Sequence, residues 1–149
     1  MEIVGTINEI LNTKGSHVWT ISPEATVFDA LKVMGEKNIG ALLVMESSRL
    51  AGVISERDYS RKVALLGKHS RTTPVRDILT TVVISVTPKH TVQECMELMT
   101  THRVRHLPVL DLKQVVGIVS IGDLVNWIIN AQRTAINQMQ NYISGQYHG

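Results

Sequence analysis

Cysteine is almost absent. The 149 residues contain one, Cys95, which excludes an internal disulfide and any paired-cysteine metal clip. Aromatic residues are scarce too: one Phe, two Trp and three Tyr, so a core must be built from Val, Ile, Leu and Met. No stretch is long and apolar enough to span a bilayer, and Met1–Gly5 lacks the charged lead and apolar run of a signal peptide. A cytoplasmic chain is expected. A strong charge of either sign is also missing. The formal net charge is +2 with His neutral, too weak to argue for nucleic acid from bulk charge. Neither GxGxxG nor a Walker sequence occurs, and no paired acids sit with a base in a recognisable catalytic arrangement, so the chain is not expected to be an enzyme. No third ligand accompanies His102 and His106, so no metal is expected.

What is present is a duplication. Sliding the chain by 65 residues lays Thr20–Ser60 on Ser85–Val125 without a gap. Nine pairs are identical, among them Pro23/Pro88, Thr26/Thr91, Gly52/Gly117, Ser55/Ser120 and Asp58/Asp123. Many others exchange one aliphatic residue for another. Each half reads as strand, helix, strand, strand, helix. The first strand is Val18–Ile21 or Val83–Val86, ended by Pro23 or Pro88. A helix then opens on Thr26 or Thr91. Thr91-Val-Gln-Glu94 is a capping box and Thr26-Val-Phe-Asp29 its shorter version. Behind the caps, Val27, Ala30, Leu31 and Met34 recur at helical spacing, as do Val92, Cys95, Met96 and Met99. Cys95 is thereby a core residue. The apolar strands Ala41–Met45 and Leu107–Leu110 turn back into Leu50–Ser55 and Val115–Ser120, and a second helix starts at Ser55 or Ser120.

One such unit leaves a sheet face bare, and two copies packed about a pseudo-twofold axis would cover it. The fold class is therefore α/β (α+β), with tandem β-α-β-β-α repeats. The divisions are a first repeat over 1–66, a linker over 67–73, a second repeat over 74–126 and a C-terminal helical extension over 127–149. Thr73-Pro74 reads as an N-cap followed by proline at the first helical position. The short helix Val75–Leu79 matches Ile7–Leu11 at an offset of 68, which marks Lys14-Gly15-Ser16 as a loop insertion. In the tail, Leu124, Ile128, Ala131, Ala135, Met139 and Tyr142 predict an amphipathic helix to about Ser144-Gly145, packing on its own domain or on a second copy in a homodimer.

Two apolar strands and a turn leading into Gly52-Val-Ile-Ser-Glu-Arg-Asp58, and again into Gly117-Ile-Val-Ser-Ile-Gly-Asp123, resemble the CBS domain. The tandem resembles a Bateman module, and the run 52–63 followed by Thr73–Leu79 is similar to stand-alone bacterial CBS-pair proteins. The resemblance covers nearly the whole chain. It implies a regulatory module that binds an adenine nucleotide, AMP first among AMP, ADP, ATP and NAD(H), in clefts between the repeats. Asp58 and Asp123 would accept from a ribose diol, and Ser55 and Ser120 would help hold ribose or phosphate. Backbone at Thr20, Ile21 and Pro23, and at Val86, Thr87 and Pro88, would edge the base. No catalytic cofactor is implied, and the output would be made in trans through an effector protein.

The residue chemistry is compatible with that layout. A carboxylate accepts from two hydroxyls at once, which suits a cis-diol. A strand giving way to a helix at Ser55 and Ser120 offers free amides to a phosphate. Arg57, Arg61 and Lys62 supply positive charge. Arg103, Arg105, His106 and Pro108 form a second polar cluster, where Arg105 and His106 replace Gly40 and Ala41 of the first half. Gly122 stands where the first motif has Arg57, so the two clefts should differ. Ser-x-x-Asp is also a plain helix cap, and one Asp can do both jobs. Two other readings stay open: an interaction scaffold with vestigial clefts that works through its C-terminal helix, and RNA or DNA binding through the basic segment 57–76. No membrane partner is expected.

Overall fold

The computed structural model describes residues 2–144. Helix α1 (Ile7–Lys14) leads into the first repeat: β1 (Thr20–Ile21), α2 (Val27–Lys37), β2 (Ala41–Glu46), β3 (Arg49–Ser55) and α3 (Glu56–Tyr59). A π-helical turn, Ser60–Ala64, continues α3. The second repeat holds α4 (Val92–His102), β4 (His106–Asp111), β5 (Gln114–Ser120) and α5 (Ile121–Ile143). The mixed α/β architecture is the expected one, and the pairing repeats with the sequence. Ile21 pairs in parallel with Val44, and Val86 with Val109. Ala41 opposes Ser55 as His106 opposes Ser120, and each hairpin shifts register at the equivalent place, after Val44 and after Val109.

Local chemistry explains the starts and stops. Four helices open on reciprocal capping boxes, Thr26 with Asp29, Ser55 with Asp58, Thr91 with Glu94 and Ser120 with Asp123. In each, the hydroxyl oxygen accepts the amide three residues on, and the carboxylate accepts the cap's own amide. Helices α2 and α4 both end on a left-handed residue, Asn38 and Arg103, each at φ 54°.

The lead-in elements are exchanged between the halves. Helix α1 precedes the first repeat, yet Ile7, Ile10 and Leu11 pack into the core of the second, with Val86, Val92, Cys95, Leu107 and Val119. The one-turn 3₁₀ helix Val75–Asp77 precedes the second repeat, yet Val75 and Ile78 complete the core of the first, with Val27, Met34, Leu42 and Ile54. Paired bridges repeat the crossing: Thr6 with Thr91, and Pro74 with Thr26. Each core thus depends on the other repeat's lead-in, which ties the halves into one folding unit. The boundary drawn at residue 66 therefore separates α1 from the repeat it completes.

Several expected boundaries move. The strand Val18–Ile21 shortens to Thr20–Ile21, and Val83–Val86 reduces to one bridge, because only the Val86 N–H and C=O reach Pro108 and Leu110. Thr73 does not cap a helix. Its hydroxyl donates to the His69 carbonyl at 2.8 Å, its own carbonyl accepts from Val27 N–H at 2.8 Å, and it is buried. The linker 67–73 is thereby fastened to α2 rather than loose. Helix α5 runs unbroken through the boundary drawn at 126/127. The expected end at Gly145 lies outside the described residues. Cys95 is fully buried, and desolvation pushes its thiol up to about 12, so it stays protonated and packs as a small hydrophobe.

Candidate functional site

A cleft of about 790 Å³ opens where the two repeats meet, within the usual range for small-molecule sites. The first repeat lines it with Ser55, Arg57 and Asp58 from the β3–α3 junction, and with Arg61 and Lys62 one turn further on. The second repeat contributes Arg103, Arg105, His106 and Pro108 from the end of α4 and the start of β4. Nine of the residues singled out from sequence are thereby gathered in one place, although the two groups lie about forty residues apart in the chain. Among the lining residues five permanent cations face two carboxylates, Glu56 and Asp58.

Asp58 is the hub. Its Oδ2 accepts from Ser55 N–H at 2.9 Å and Ser55 Oγ at 3.0 Å. Its Oδ1 accepts from Thr80 Oγ1 at 3.2 Å and pairs with Lys62 Nζ at 3.1 Å. Two of these four partners are hydroxyls, which the hydroxyls of a diol can replace like for like. Arg57 spans the cleft, its guanidinium donating to the Arg103 carbonyl at 3.1 Å. Burial holds His106 below the usual imidazole range. Asp123 works against that, while Lys14 and Arg105 add to it.

Two of the helix amides expected to face a phosphate are already bonded at each motif. Glu56 N–H donates to the Gly40 carbonyl at 3.1 Å, and Asp58 N–H to Ser55 Oγ at 3.2 Å. The same holds at the second motif, where Ile121 N–H donates to Arg105 O and Asp123 N–H to Ser120 Oγ. At each motif one of these donors is spent on a backbone carbonyl and one on the cap, so the arginines carry more of the charge that would meet an anion.

The expected base edges also shift. Thr20, Ile21 and Pro23 lie outside this cleft: the first two are paired with Leu43 and Val44, and the Pro23 carbonyl accepts from Arg76. Val86 is buried in its ladder, Thr87 turns onto His90, and the Pro88 carbonyl accepts from Asn8 of α1. The wall is instead Val82, Val83 and Ile84, with Val53, Ala41 and Val104. Sequence reading placed the wall on the strand ends, whereas the residues entering the strand form it. Thr80, which anchors that wall by a two-way bridge to Val53 and touches Asp58, was also missed.

Ser120, Gly122 and Asp123 belong to the equivalent position in the other half, and there Lys14 intervenes. Its ammonium donates to the Ile118 carbonyl at 2.8 Å and to Asp123 Oδ2 at 2.7 Å. Val53 and Asp58 are the counterparts of Ile118 and Asp123, and they receive the Thr80 N–H and hydroxyl respectively. One lysine therefore does what Thr80 does with two groups. Trp127 takes the place of Lys62 and donates to the Val4 carbonyl at 2.8 Å. Trp19 takes the place of Ile84, covered by Lys37 Nζ at 4.3 Å and edged by His17.

These paired, duplicated motifs decide the family. The CBS domain family model matches residues 7–65 and 75–130. The chain belongs to the CBS-domain family. It is 41% identical over 152 residues to CBS domain-containing protein CBSX3, mitochondrial, of Arabidopsis thaliana, covering 95% of this chain and 73% of that one. It is 32% identical to CBS domain-containing protein YhcV of Bacillus subtilis, covering 93% and 91%. A putative signal-transduction protein with CBS domains from Burkholderia ambifaria superposes with a TM-score of 0.84 at 46% identity, covering 86% of this chain and 96% of that one. The cleft is built from both repeats.

The basic run 57–76 does not form one surface in this CBS pair. Arg57, Arg61 and Lys62 enter the cleft, Arg71 lies over the Phe28 ring at 3.9 Å, and Arg76 pairs with Glu24 and Glu46. Among the described residues, no helix is long and apolar enough to cross a membrane.

Proposed function

We propose that the chain is a cytoplasmic regulatory module that binds one adenine nucleotide in the Asp58 cleft, and that it acts through an effector rather than by catalysis. The observation that carries the reading is the convergence in one cleft of a carboxylate ringed by replaceable hydroxyls, an aliphatic wall, and arginines from both repeats. The carboxylate suits a ribose diol and the wall suits the faces of a purine. Arg57, Arg61, Arg103 and Arg105 suit a phosphate chain, since a guanidinium grips phosphate oxygens in a bidentate way. Five cations against two carboxylates leave a surplus of three charges, which favours ATP or ADP over AMP.

A CBS-domain pair, that of the protein MJ0100, has been crystallised with 5′-methylthioadenosine and S-adenosyl-L-methionine. At 23% identity and a TM-score of 0.72 its likeness to this chain is one of fold. The regulatory step follows from the two-sided cleft. A phosphate competes with the Arg57–Arg103 contact and pulls on both repeats, so occupancy biases their packing by differential affinity.

A thermal-shift screen against AMP, ADP, ATP, NAD, NADH and S-adenosylmethionine tests the reading. At a hundred times Kd a ligand adds about 2.7 kcal/mol, a rise of roughly 5–10 °C for a chain of this size. ATP or ADP is expected to give the largest rise. A flat screen on well-folded protein overturns the nucleotide reading and favours the scaffold one.

A further inference from the structure

Two histidines line the cleft, and they differ in setting. His102, at the end of α4, is exposed. His106 opens β4 opposite Ser120 and is half-buried. The first repeat has Ala41 at the equivalent place, so the imidazole is an addition to one repeat only. Its ring lies against Gly40, where an added Cβ would stand 3.5 Å from Cε1 and 3.8 Å from Nε2. Among the described residues the ring makes no hydrogen bond and no ion pair. No side-chain nitrogen there is both fully buried and unbonded. The ring nitrogens are therefore not sealed in the core, and the ring forms part of the cleft wall.

The surroundings keep that ring neutral. Burial does most, Lys14 from α1 and the adjoining Arg105 act in the same direction, and Asp123 from α5 opposes them. Asp123 is itself bonded to Lys14 at 2.7 Å. Glu56 Oε1 reaches the same Gly40 edge from α3 without pairing with the ring. On the cleft side stand Arg57, Arg61 and Arg103, against an Asp58 carboxylate that Lys62 already meets. A neutral base thus sits on the wall of a positive cleft. Phosphate oxygens drawn in by the arginines would reverse the balance, because an imidazolium donates from both nitrogens and a neutral ring from only one.

We infer that His106 takes up a proton as a polyanionic nucleotide enters the cleft, so that the module responds to acidity and nucleotide together. The inference rests on the nucleotide reading. The bound state holds the proton more tightly than the free chain. ATP affinity therefore rises as pH falls through the bound-state titration, and levels off below that of the free chain. An opposite charge within hydrogen-bond reach moves a titration by about one pH unit or more, and one pH unit is worth about tenfold in affinity.

Calorimetric titration of ATP across neutral pH, in two buffers of different ionisation enthalpy, tests it on the natural chain beside His106→Asn. The terminal phosphate of ATP titrates in the same range, as does His102, and the comparison cancels both. Between about pH 8 and about pH 6 the natural chain is expected to gain roughly tenfold more in ATP affinity than the variant, with a larger proton uptake per ATP. Equal gains and equal uptake in the two chains overturn the inference and leave the nucleotide reading standing. A natural chain that binds no ATP at either pH overturns both. Imidazole resonances of the natural chain give a reading that needs no variant. The histidine that titrates lowest in the free chain is expected to titrate at higher pH with ATP bound. A titration that ATP leaves unmoved overturns the inference.

Discussion

A chain carrying glutamate at both Arg61 and Arg105 is expected to bind ATP about a hundredfold more weakly, or worse, while its melting temperature without ligand stays nearly unchanged. The two side chains line the same cleft from opposite repeats, and both are exposed. Exposed substitutions of this kind change stability by roughly 0.5 kcal/mol or less. The binding loss should be far larger, because each charge-assisted hydrogen bond contributes about 1.5–3 kcal/mol and each reversal adds a repulsion. The defect should be greatest at low ionic strength, where charges across the cleft are least screened. Isothermal titration of both chains measures it. An affinity within threefold of the natural chain would remove the phosphate chain from this cleft.

Gly52→Ala should damage the fold itself. An added Cβ there runs into Leu79 Cδ1 and the Thr80 carbonyl, closer than real atoms approach. The leucine methyl can move, but the carbonyl is held, since Thr80 and Val53 exchange backbone hydrogen bonds at 2.9 and 3.0 Å. Forcing atoms into such a contact costs about 1–3 kcal/mol or more, a fall of roughly 3–10 °C in Tm. Thr80 also anchors the Val82–Ile84 wall, so ATP binding should weaken as well. The equivalent Gly117→Ala is the control. Its Cβ would meet only the Leu11 side chain, with the nearest methyl at 2.8 Å, and that side chain can rotate away. Melting curves of the two variants should therefore differ, with Gly52→Ala clearly the lower. Equal curves would mean that the bridge at Thr80 yields easily.

That same pair of glycines shows what a sequence can and cannot say. Gly52 and Gly117 align, and the alignment is right for the pleat: strand pairing, bulge position and all four capping boxes recur as the duplication implied. Those features are local, set by residues within a few positions of each other. What packs on each glycine is not local. Ile7-Asn-Glu-Ile-Leu11 and Val75-Arg-Asp-Ile-Leu79 are near-equivalent apolar turns, and nothing in either states which repeat it will complete. Lys14 was hidden for a similar reason. It reads as part of a loop insertion, yet it is the last residue of α1, and its long side chain crosses to Asp123, more than a hundred residues away in sequence. Two amides expected to be free are already spent on Gly40 and on the Ser55 cap. The cleft's membership, by contrast, was legible where charge marked it. Arginines standing where the other repeat has Gly40 or Gly122 carried most of the signal.

The central claim is that one nucleotide binds per chain, beside Asp58, where the cleft between the repeats opens, and not beside Asp123, where Lys14 bonds both the carboxylate and the Ile118 carbonyl. Calorimetric titration of ATP into the natural chain, Asp58→Asn and Asp123→Asn tests it most directly. Asparagine keeps an oxygen for the helix cap and removes the charge, so both variants should fold. The predicted result is one ATP per chain in the natural protein, little or no binding in Asp58→Asn, and retained binding in Asp123→Asn. Retention in Asp58→Asn with loss in Asp123→Asn, or two equal sites in the natural chain, would contradict it.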